Sequence, residues 1–304
     1  MATDKRVGVI GLGIMGSAMA GNLLRAGFDV TGFDVVPKNR AALAKAGGKP
    51  AKSVADAARR AGILITSLPS AAALLQVAAE LAAAEQKGQI VIEASTMPID
   101  VKEEALKRLA AKGVVLLDCP LSGTGAQARV KDLLVYASGS QAGYKQCIPV
   151  FEGFARGHHF LGAFGNGSKM KFVANLLVAI HNVAAAEAIV LGIKAGLDPA
   201  LVVKVVGDGA GSSRMLQVRG PMMAKNDYAD ATMKVEVWQK DMTIIGDFVR
   251  ELDCASPLFA ASAPLYNAAM AAGYGKLDTG SVCAVLEGLS GTSRRRPKSS
   301  RGAG

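Results

Sequence analysis

A lysine and an asparagine stand four positions apart where a long apolar segment begins, in GNGSKMKFVANLL from Gly165 to Leu177. Lys171 and Asn175 would share one face of a helix, whereas Lys169 would point elsewhere. A lysine whose pKa is lowered by partial burial or nearby positive charge can accept a proton and return it. The alternative is an ordinary lysine at a helix start in contact with solvent, so the other motifs must decide.

A glycine-rich motif near the N-terminus indicates a dinucleotide-binding loop between a predicted strand and a predicted helix. The loop comprises Gly11, Leu12, Gly13, Ile14, Met15 and Gly16. In this spacing Gly11 allows a tight turn, Gly13 lets the backbone approach a pyrophosphate, and Gly16 permits close packing of helix on strand. Amides at the helix N-terminus would then face the phosphates.

An acidic residue, Asp34, ends the next predicted strand, 18 positions after Gly16. A carboxylate at this place can accept hydrogen bonds from an adenosine ribose and would repel a 2′-phosphate. Lys38 and Arg40 follow closely and could weaken that repulsion. The sequence therefore predicts NAD as the cofactor, with NADP as the alternative.

Two kinds of segment alternate from Arg6 to about Gly162. Aliphatic runs such as RVGVIGL, DVTGF, GILITSL, QIVIEAS, VVLLDCPL and LLVYASG are typical of strands, and the Ala-, Leu-, Lys- and Glu-rich stretches between them are typical of helices. This alternation predicts a parallel sheet with helices on both faces, which fits a Rossmann-type domain. After about Gly167 only helical signals continue, so an all-helical domain is predicted to follow.

The chain is therefore predicted to have three parts. They are an NAD(P)-binding domain at 1–164, a helical substrate and oligomerisation domain at 165–291, and a basic disordered tail at 292–304. A helix from about Ser168 to Ala195 would be roughly 40 Å long and could run from one domain into the next. Lys171 is then expected near a cleft between domains, where ligands usually bind.

Composition excludes several classes of protein. Half of the residues are hydrophobic and only 20% are charged, which excludes a largely disordered chain. The four cysteines are scattered without CxxC spacing, so we expect reduced thiols and no metal site. The N-terminus enters a strand directly, and polar residues interrupt the longest apolar stretch. A cytoplasmic protein without a membrane span is predicted.

Four further motifs complete a family pattern. TSLP (Thr66 to Pro69) and EAST (Glu93 to Thr96) end predicted strands, DCPLSGTGAQA (Asp118 to Ala128) follows another, and GNGSKMKFVAN leads the long helix. Together with GLGIMG they resemble the β-hydroxyacid dehydrogenase family, which includes 3-hydroxyisobutyrate dehydrogenase, tartronate semialdehyde reductase and L-threonate dehydrogenase. The likeness implies a Rossmann-type domain followed by a 6-phosphogluconate dehydrogenase-like helical domain.

The resemblance also implies a role for each matching residue. Lys171 would be the general acid/base, with Asn175 binding substrate beside it, and Ser122 and Gly123 would hold the substrate carboxylate, with Thr124 contacting the substrate next to them. The implied cofactor contacts outside the glycine loop are Leu68, Pro69, Thr96 and Lys240. The implied reaction transfers hydride between NAD, or NADP, and a small β-hydroxy acid or its semialdehyde of the 3-hydroxyisobutyrate, glycerate or threonate type. A homodimer or homotetramer is implied as the assembly.

Two positions depart from the family's pattern. Thr124 stands where many relatives have glycine, and Leu176 stands where many have a second asparagine. Thr124 adds a hydroxyl and a methyl group where the substrate's acid end or substituents would lie, so the identity of the substrate stays open. His181, Asn182 and Cys119 are interpreted as packing residues.

Two alternative functions stay open. One is an imine reductase-like enzyme, although relatives with that activity typically replace the lysine that Lys171 matches. The other is a non-catalytic dehydrogenase fold whose basic tail contacts nucleic acid. Half of the net charge of +10 lies in that tail, on Arg294, Arg295, Arg296, Lys298 and Arg301. The retained set of Lys171, Asn175, Ser122 and Lys240 argues against a binding module.

Overall fold

The computed structural model describes residues 5–292 and residue 294. The chain divides into two compact units, one ending at Lys171 and the other beginning at Phe172. This division falls inside one long helix. The boundaries of 164 and 291 that the sequence suggested for the domains stay predictions, and the tail residues Arg295, Arg296, Lys298 and Arg301 lie outside the described part of the chain.

A six-stranded parallel sheet organises the first unit. In chain order its strands are β1 (Arg6–Ile10), β2 (Asp29–Phe33), β3 (Lys49–Pro50), β4 (Ile63–Thr66), β5 (Ile90–Glu93) and β6 (Val115–Asp118). They lie in the order β3-β2-β1-β4-β5-β6, and each neighbouring pair is parallel. The order reverses between β1 and β4, and such switch points are where open α/β sheets bind ligands. The predicted Rossmann-type domain is confirmed.

Helices cover both faces of this sheet. They are α1 (Ile14–Arg25), α2 (Pro37–Lys45), α3 (Val54–Arg60), α4 (Ala71–Ala83), α5 (Ile99–Ala110), α6 (Gly125–Arg129) and α7 (Gln141–Phe154). Val7 and Val9 of β1 join a buried cluster with Met19 of α1 and Phe151 of α7. Ile10 joins a second buried cluster with side chains from α3, α4 and α5. Burial on both faces explains why the strands are apolar without polar alternation.

The run LLVYASG does not join the parallel sheet. It forms β8 (Leu134–Ala137) in a separate three-stranded sheet with β7 (Leu121–Ser122) and β9 (Gly157–Phe160). Only two residues separate β6 from β7, which is too short for the crossover that a parallel neighbour would need. β7 pairs antiparallel with β8, and Ser138, which follows β8, forms one antiparallel bridge with Asp118 of β6.

The regular elements described in the second unit are helical, as predicted. They are the remainder of α8 (Asn166–Lys194), then α9 (Pro199–Gly207), α10 (Arg214–Lys225), α11 (Val235–Glu251), α12 (Pro257–Ala271), a 3-10 turn (Thr279–Ser281) and α13 (Val282–Leu289). A single bridge pair joins Lys234 and Asp278. The helical class of this unit is thereby confirmed.

Helix α8 is long and apolar enough, by length and composition alone, to cross a membrane, and 44% of its most apolar window is buried. Its buried Asn182 donates from Nδ2 to Tyr266 Oη at 3.1 Å and to the Thr279 carbonyl oxygen at 2.9 Å. Tyr266 Oη in turn donates to the Ala179 carbonyl oxygen at 3.0 Å. Hydrogen bonds that join a helix to neighbouring elements inside the protein are typical of a core helix.

A buried ion pair stabilises the second unit. Arg219 Nε lies 2.9 Å from Asp278 Oδ1, and the two side chains are 2% and 0% exposed. Asp278 also accepts hydrogen bonds from the amides of Gly280, Thr232 and Met233 and from the Thr232 hydroxyl. Burial opposes ionisation of Asp278, but the Arg219 guanidinium and these donors outweigh it. They hold the pKa of the carboxyl below its ordinary value.

Candidate active site

The glycine loop connects β1 to α1 and is shaped by close backbone contacts. A Cβ atom at Gly16 would lie 1.8 Å from the Gly11 carbonyl oxygen, and one at Gly11 would lie 2.1 Å from the Ser67 carbonyl oxygen. Gly11 also has φ +88°, a conformation that other residues rarely adopt. No atom lies within 4 Å of a Cβ at Gly13. The loop therefore has no room for a side chain at Gly11 or Gly16, and it has open space at Gly13, where a pyrophosphate would approach the backbone.

Asp34 is fixed at the end of β2 beside this loop. Its carboxylate accepts hydrogen bonds from the Leu12 amide at 2.7 Å and from the Val36 amide at 2.8 Å. Arg40 Nη1 donates to the Asp34 carbonyl oxygen at 2.5 Å, and its guanidinium lies 5.8 Å from the centre of the Phe33 ring. The carboxylate is thus positioned to accept ribose hydroxyls, with one guanidinium held close by.

The TSLP and EAST motifs lie at the same edge of the sheet as the glycine loop. Thr66 and Glu93 are paired at the ends of β4 and β5, and Ile10 pairs with Thr66. The Leu68 amide donates to Ser95 Oγ at 2.8 Å, which ties one loop to the other. Leu68 and Pro69 follow β4 directly, and Thr96 follows β5. The structure therefore brings these three predicted cofactor contacts to the ligand-binding edge of the sheet.

The predicted substrate cradle, Ser122–Thr124, leads from β7 into α6. Gly123 has φ +134°, and a Cβ there would lie 2.6 Å from Leu133 Cδ2, so only glycine fits. Thr124 is the N-cap of α6 and forms a capping box with Gln127. The Thr124 amide and hydroxyl donate to Gln127 Oε1 at 3.0 and 3.3 Å. The residue that departs from the family pattern therefore starts a helix.

The cradle and the glycine loop are neighbours within the first unit. A Cβ at Gly125 would lie 2.5 Å from Ile14 Cγ2, so the start of α6 packs against the exposed Ile14 at the start of α1. The predicted substrate cradle and the predicted pyrophosphate loop are therefore adjacent in the first unit.

Lys171 is the last residue of the first unit and lies in the second turn of α8. The first turn of that helix is held by Asp118, which ends β6. Asp118 accepts from the Ser168 amide and from the Ser168 hydroxyl, both at 2.8 Å. Lys169 is exposed, whereas Lys171 is partly buried. The two lysines therefore differ in exposure to solvent, as expected if they lie on different faces of the helix.

Asn175 and Lys240 belong to the second unit, where both contact Asp241. Asn175 Nδ2 donates to Asp241 Oδ2 at 3.0 Å, and Lys240 Nζ lies 3.5 Å from Asp241 Oδ1. Asn175 and Asp241 are buried, and Lys240 is partly exposed. Asp241 thus orients the amide group of Asn175 and links it to Lys240.

The cysteines do not form a reactive group in the part of the chain that the structure describes. All four are free thiols, and only Cys254 is exposed. Burial, with a smaller effect of the nearby Asp118 carboxylate, raises the pKa of the Cys119 thiol well above its ordinary value. Within residues 5–292 and 294, no group of three His, Cys, Asp or Glu residues could hold a metal ion.

Comparison with known proteins identifies the family. The NAD binding domain of 6-phosphogluconate dehydrogenase matches residues 6–165, and the NAD-binding domain of NADP-dependent 3-hydroxyisobutyrate dehydrogenase matches residues 165–286. An L-threonate dehydrogenase of Cupriavidus necator is 36% identical over 290 residues, 94% of this chain and 97% of its own length. The chain belongs to the β-hydroxyacid dehydrogenase family.

Solved members of the β-hydroxyacid dehydrogenase family share the whole fold. A 3-hydroxyisobutyrate dehydrogenase from Salmonella typhimurium superposes with a TM-score of 0.82 at 31% identity, covering 92% of this chain and 99% of its own. One from Mycobacterium tuberculosis, solved with L-serine, has a TM-score of 0.83 at 28% identity and covers 92% and 98%. The protein is accordingly an NAD(P)-dependent dehydrogenase that acts on the CH–OH group of hydroxy acids.

The glycine loop supports a prediction that separates folding from cofactor binding. Gly13→Ala should change the free energy of unfolding of the apoprotein by no more than about 0.5 kcal/mol, because the added Cβ meets no atom. It should weaken dinucleotide binding by roughly tenfold or more, since the methyl group fills the space above the loop. Gly16→Ala should instead destabilise the apoprotein by about 1–3 kcal/mol through its clash with the Gly11 carbonyl.

Denaturant unfolding and titration with reduced dinucleotide would measure the two effects. Equal affinity in Gly13→Ala and the wild type would contradict the placement of the pyrophosphate. The Gly16 variant serves as the comparison for the stability measurement, because it adds the same methyl group three residues away, where the Gly11 carbonyl oxygen lies in its path.

Several residues of the site were not assigned roles from the sequence. Gln127, Lys102, Asp118 and Ser168 all hold parts of it in place. Lys102 could have been found from helical spacing, because it lies on the same buried face of α5 as Ala105 and Leu109. Glu93 begins the EAST motif and Asp118 begins DCPLSGTGAQA, but Lys102, which both contact, is not their neighbour in the chain.

Proposed function

We propose that this enzyme oxidises a small polyhydroxy acid of the threonate type with NAD, using Lys171 as general acid/base. The observation that carries the proposal is the hydrogen bond from Asn175 Nδ2 to the buried Asp241 carboxylate, at 3.0 Å. A carboxylate only accepts hydrogen bonds, so the amide nitrogen of Asn175 faces Asp241 and its carbonyl oxygen faces away. That oxygen is an acceptor one helical turn from Lys171.

An acceptor at this position suits a substrate with more than one hydroxyl group. The bound nicotinamide supplies the hydride acceptor for the carbon that is oxidised. The Lys171 amine takes the proton of the reacting hydroxyl and returns it in the reverse reaction. Since that proton goes to Lys171, the Asn175 oxygen is left to accept from a neighbouring hydroxyl. A methyl group at that place, as in 3-hydroxyisobutyrate, could not donate a hydrogen bond to this oxygen.

The cradle residues support the same substrate class. Ser122, Gly123 and Thr124 are proposed to bind the carboxylate, with the α6 N-terminus contributing amides. Thr124 brings a hydroxyl group to this segment and holds it 3.3 Å from Gln127 Oε1. Four bacterial relatives that carry the name L-threonate dehydrogenase, at 30–36% identity, agree with a polyhydroxy acid.

Asp34 supports NAD over NADP, because its carboxylate would repel a 2′-phosphate. Arg40 is held beside it and reduces that repulsion, so we expect NADP to bind more weakly and to remain usable. Leu68, Pro69, Thr96 and Lys240 are proposed as further cofactor contacts. A titration in which NADPH bound more tightly than NADH would overturn this preference.

A substrate screen tests the proposed function. The absorbance of reduced nicotinamide would be followed with NAD and with NADP, on L-threonate, D-glycerate, 3-hydroxyisobutyrate and L-serine. We expect the highest kcat/KM for L-threonate with NAD, roughly tenfold above that for 3-hydroxyisobutyrate, since 3-hydroxyisobutyrate lacks the hydrogen bond to the Asn175 oxygen and such a bond contributes about 0.5–1.5 kcal/mol. A preference for 3-hydroxyisobutyrate would contradict the role given to the Asn175 oxygen. No turnover on any hydroxy acid would contradict the proposed reaction.

Two further properties stay predictions. A cytoplasmic location follows from the sequence expectation alone, and a homodimer or homotetramer follows from the family resemblance. Sedimentation velocity of the purified protein would test the assembly.

A further inference from the structure

A fully buried lysine lies between two carboxylates at the ligand-binding edge of the parallel sheet. Lys102 Nζ, from α5, is 2.6 Å from Glu93 Oε2 and 2.7 Å from Asp118 Oδ1, and all three side chains are 0% exposed. Glu93 ends β5 and Asp118 ends β6. The attraction of both carboxylates outweighs the effect of burial and raises the pKa of Lys102, so the ammonium stays charged. Two buried negative charges share one positive charge, so both carboxylates need further hydrogen-bond donors.

The Asp118 carboxylate obtains its donors from the first turn of α8. Besides the Ser168 amide and hydroxyl, it accepts from Ser138 Oγ at 3.2 Å, and the Gly167 amide donates to that same Ser138 oxygen at 2.9 Å. A Cβ at Gly167 would lie 2.3 Å from the Tyr136 carbonyl oxygen, so this turn is pressed against β8. The start of the helix is therefore fixed by strands distant in sequence.

The Glu93 carboxylate obtains its donor from the EAST loop. Glu93 Oε1 accepts from the Ser95 amide at 3.0 Å, and Ser95 Oγ accepts from the Leu68 amide at 2.8 Å. One chain of bonds thus runs from Leu68 through Ser95 and Glu93 to Lys102. It continues through Asp118 to Ser168, three residues before Lys171.

We propose that Lys102 is a positioning residue that holds the Leu68 loop and the first turn of α8 in a fixed relation, and so fixes where Lys171 stands. The inference rests on the proposed function of Lys171. None of these bonds is needed to complete the sheet, whose strands pair through their own backbones. The network instead connects the C-terminal ends of β4, β5 and β6 to α8, the helix that carries the proposed acid/base.

Serine variants test separately the bonds of Asp118 with α8 and the bonds that connect Glu93 to the Leu68 loop. Ser168→Ala removes one donor to Asp118. We expect kcat on the best hydroxy acid to fall roughly 10- to 100-fold and KM to change by less than about threefold. The reason is that a misplaced base slows the chemical step more than it weakens substrate binding. Ser95→Ala removes the acceptor of the Leu68 amide and should weaken dinucleotide affinity more than it lowers kcat. Ser262→Ala is the control, since it removes an equally buried hydroxyl that bonds only within α12, to Leu258.

Hydrogen–deuterium exchange of the apoenzyme provides a readout that needs no turnover. In Ser168→Ala the amides of Gly167 and Ser168 should exchange faster, and in Ser95→Ala the Leu68 amide should do so. In Lys102→Met both sets should exchange faster at once. If Lys102→Met does not fold, the double variant Ser95→Ala/Ser168→Ala replaces it, and an effect on kcat larger than the product of the single effects supports the coupling.

Two results would overturn the proposal. One is exchange at Gly167 and Ser168 that is no faster in Ser168→Ala than in Ser262→Ala. The other is faster exchange with kcat unchanged. A wild type that turned over no hydroxy acid would refute the proposed function, and the exchange experiment would still decide whether Lys102 joins the two loops.

Discussion

Lys171→Ala is expected to lower kcat by roughly 10²–10⁴-fold while leaving dinucleotide affinity nearly unchanged. The amine is the group proposed to move the hydroxyl proton, and general acid/base catalysis typically contributes that much. The proposed cofactor contacts, such as the glycine loop and Asp34, lie outside α8. Steady-state kinetics on the best substrate and fluorescence titration with NADH would measure the two quantities.

Lys169→Ala is the matched control for this experiment. It removes the same side chain two residues earlier on the same helix, where the lysine is exposed. We expect wild-type kcat for this variant. Comparable losses in both variants would mean that helix start or net charge, and not proton transfer, explains the effect. Substantial activity in Lys171→Ala would remove the proposed role altogether.

Asp278→Ala is expected to destabilise the helical unit by about 3–5 kcal/mol. Arg219 would be left buried without its counter-ion, which is among the most destabilising changes a core can suffer. The amides of Gly280, Thr232 and Met233 would also lose their shared acceptor. Asp247→Ala is the control, because its side chain is 49% exposed and its pair with Arg250 should contribute less than about 1 kcal/mol.

The same carboxyl group predicts how stability depends on pH. The pKa of Asp278 is lowered in the folded state, so its contribution is complete above the unfolded pKa of about 3.9 and is lost as pH falls through the lower folded value. Thermal unfolding followed from neutral pH down to about pH 3 should therefore show a steeper loss in the wild type than in Asp278→Ala. Parallel curves for the two proteins would contradict the assignment.

Local patterns were enough to predict the dinucleotide half of the fold. The GxGxxG spacing, the strand before it and the acid after it all arise within 34 residues, and each requirement acts on neighbours in the chain. The all-helical second unit was predicted for the same reason, because helical periodicity is a local property. The sheet to which LLVYASG belongs depends on pairing between distant strands, and its composition alone resembles any other buried strand.

In the candidate site, too, features set by neighbouring residues could be predicted, and features set by distant residues could not. Motif spacing placed Lys171 and Asn175 on one helix, but the orientation of the Asn175 amide depends on Asp241, 66 positions later. The partners of Lys102 lie 9 and 16 positions away and meet it only because the sheet aligns the ends of β5 and β6. Helical spacing places Lys102 on the face of Ala105 and Leu109, but nothing in DVKEEALKR indicates which carboxylates it contacts. Burial of a charge depends on tertiary structure, which a single sequence does not display.

Arg294, the first arginine of the basic segment, lies partly buried against the helical unit. Its guanidinium donates to both oxygens of Glu287, and to the carbonyl oxygens of Met223 and Ala224 at the end of α10. The family match ends at residue 286, within α13, before either member of this ion pair. A truncated protein that ended where the family match ends would therefore lose the Arg294–Glu287 ion pair and the contacts of Arg294 with α10. A transplanted or fused version should keep the chain through Arg294.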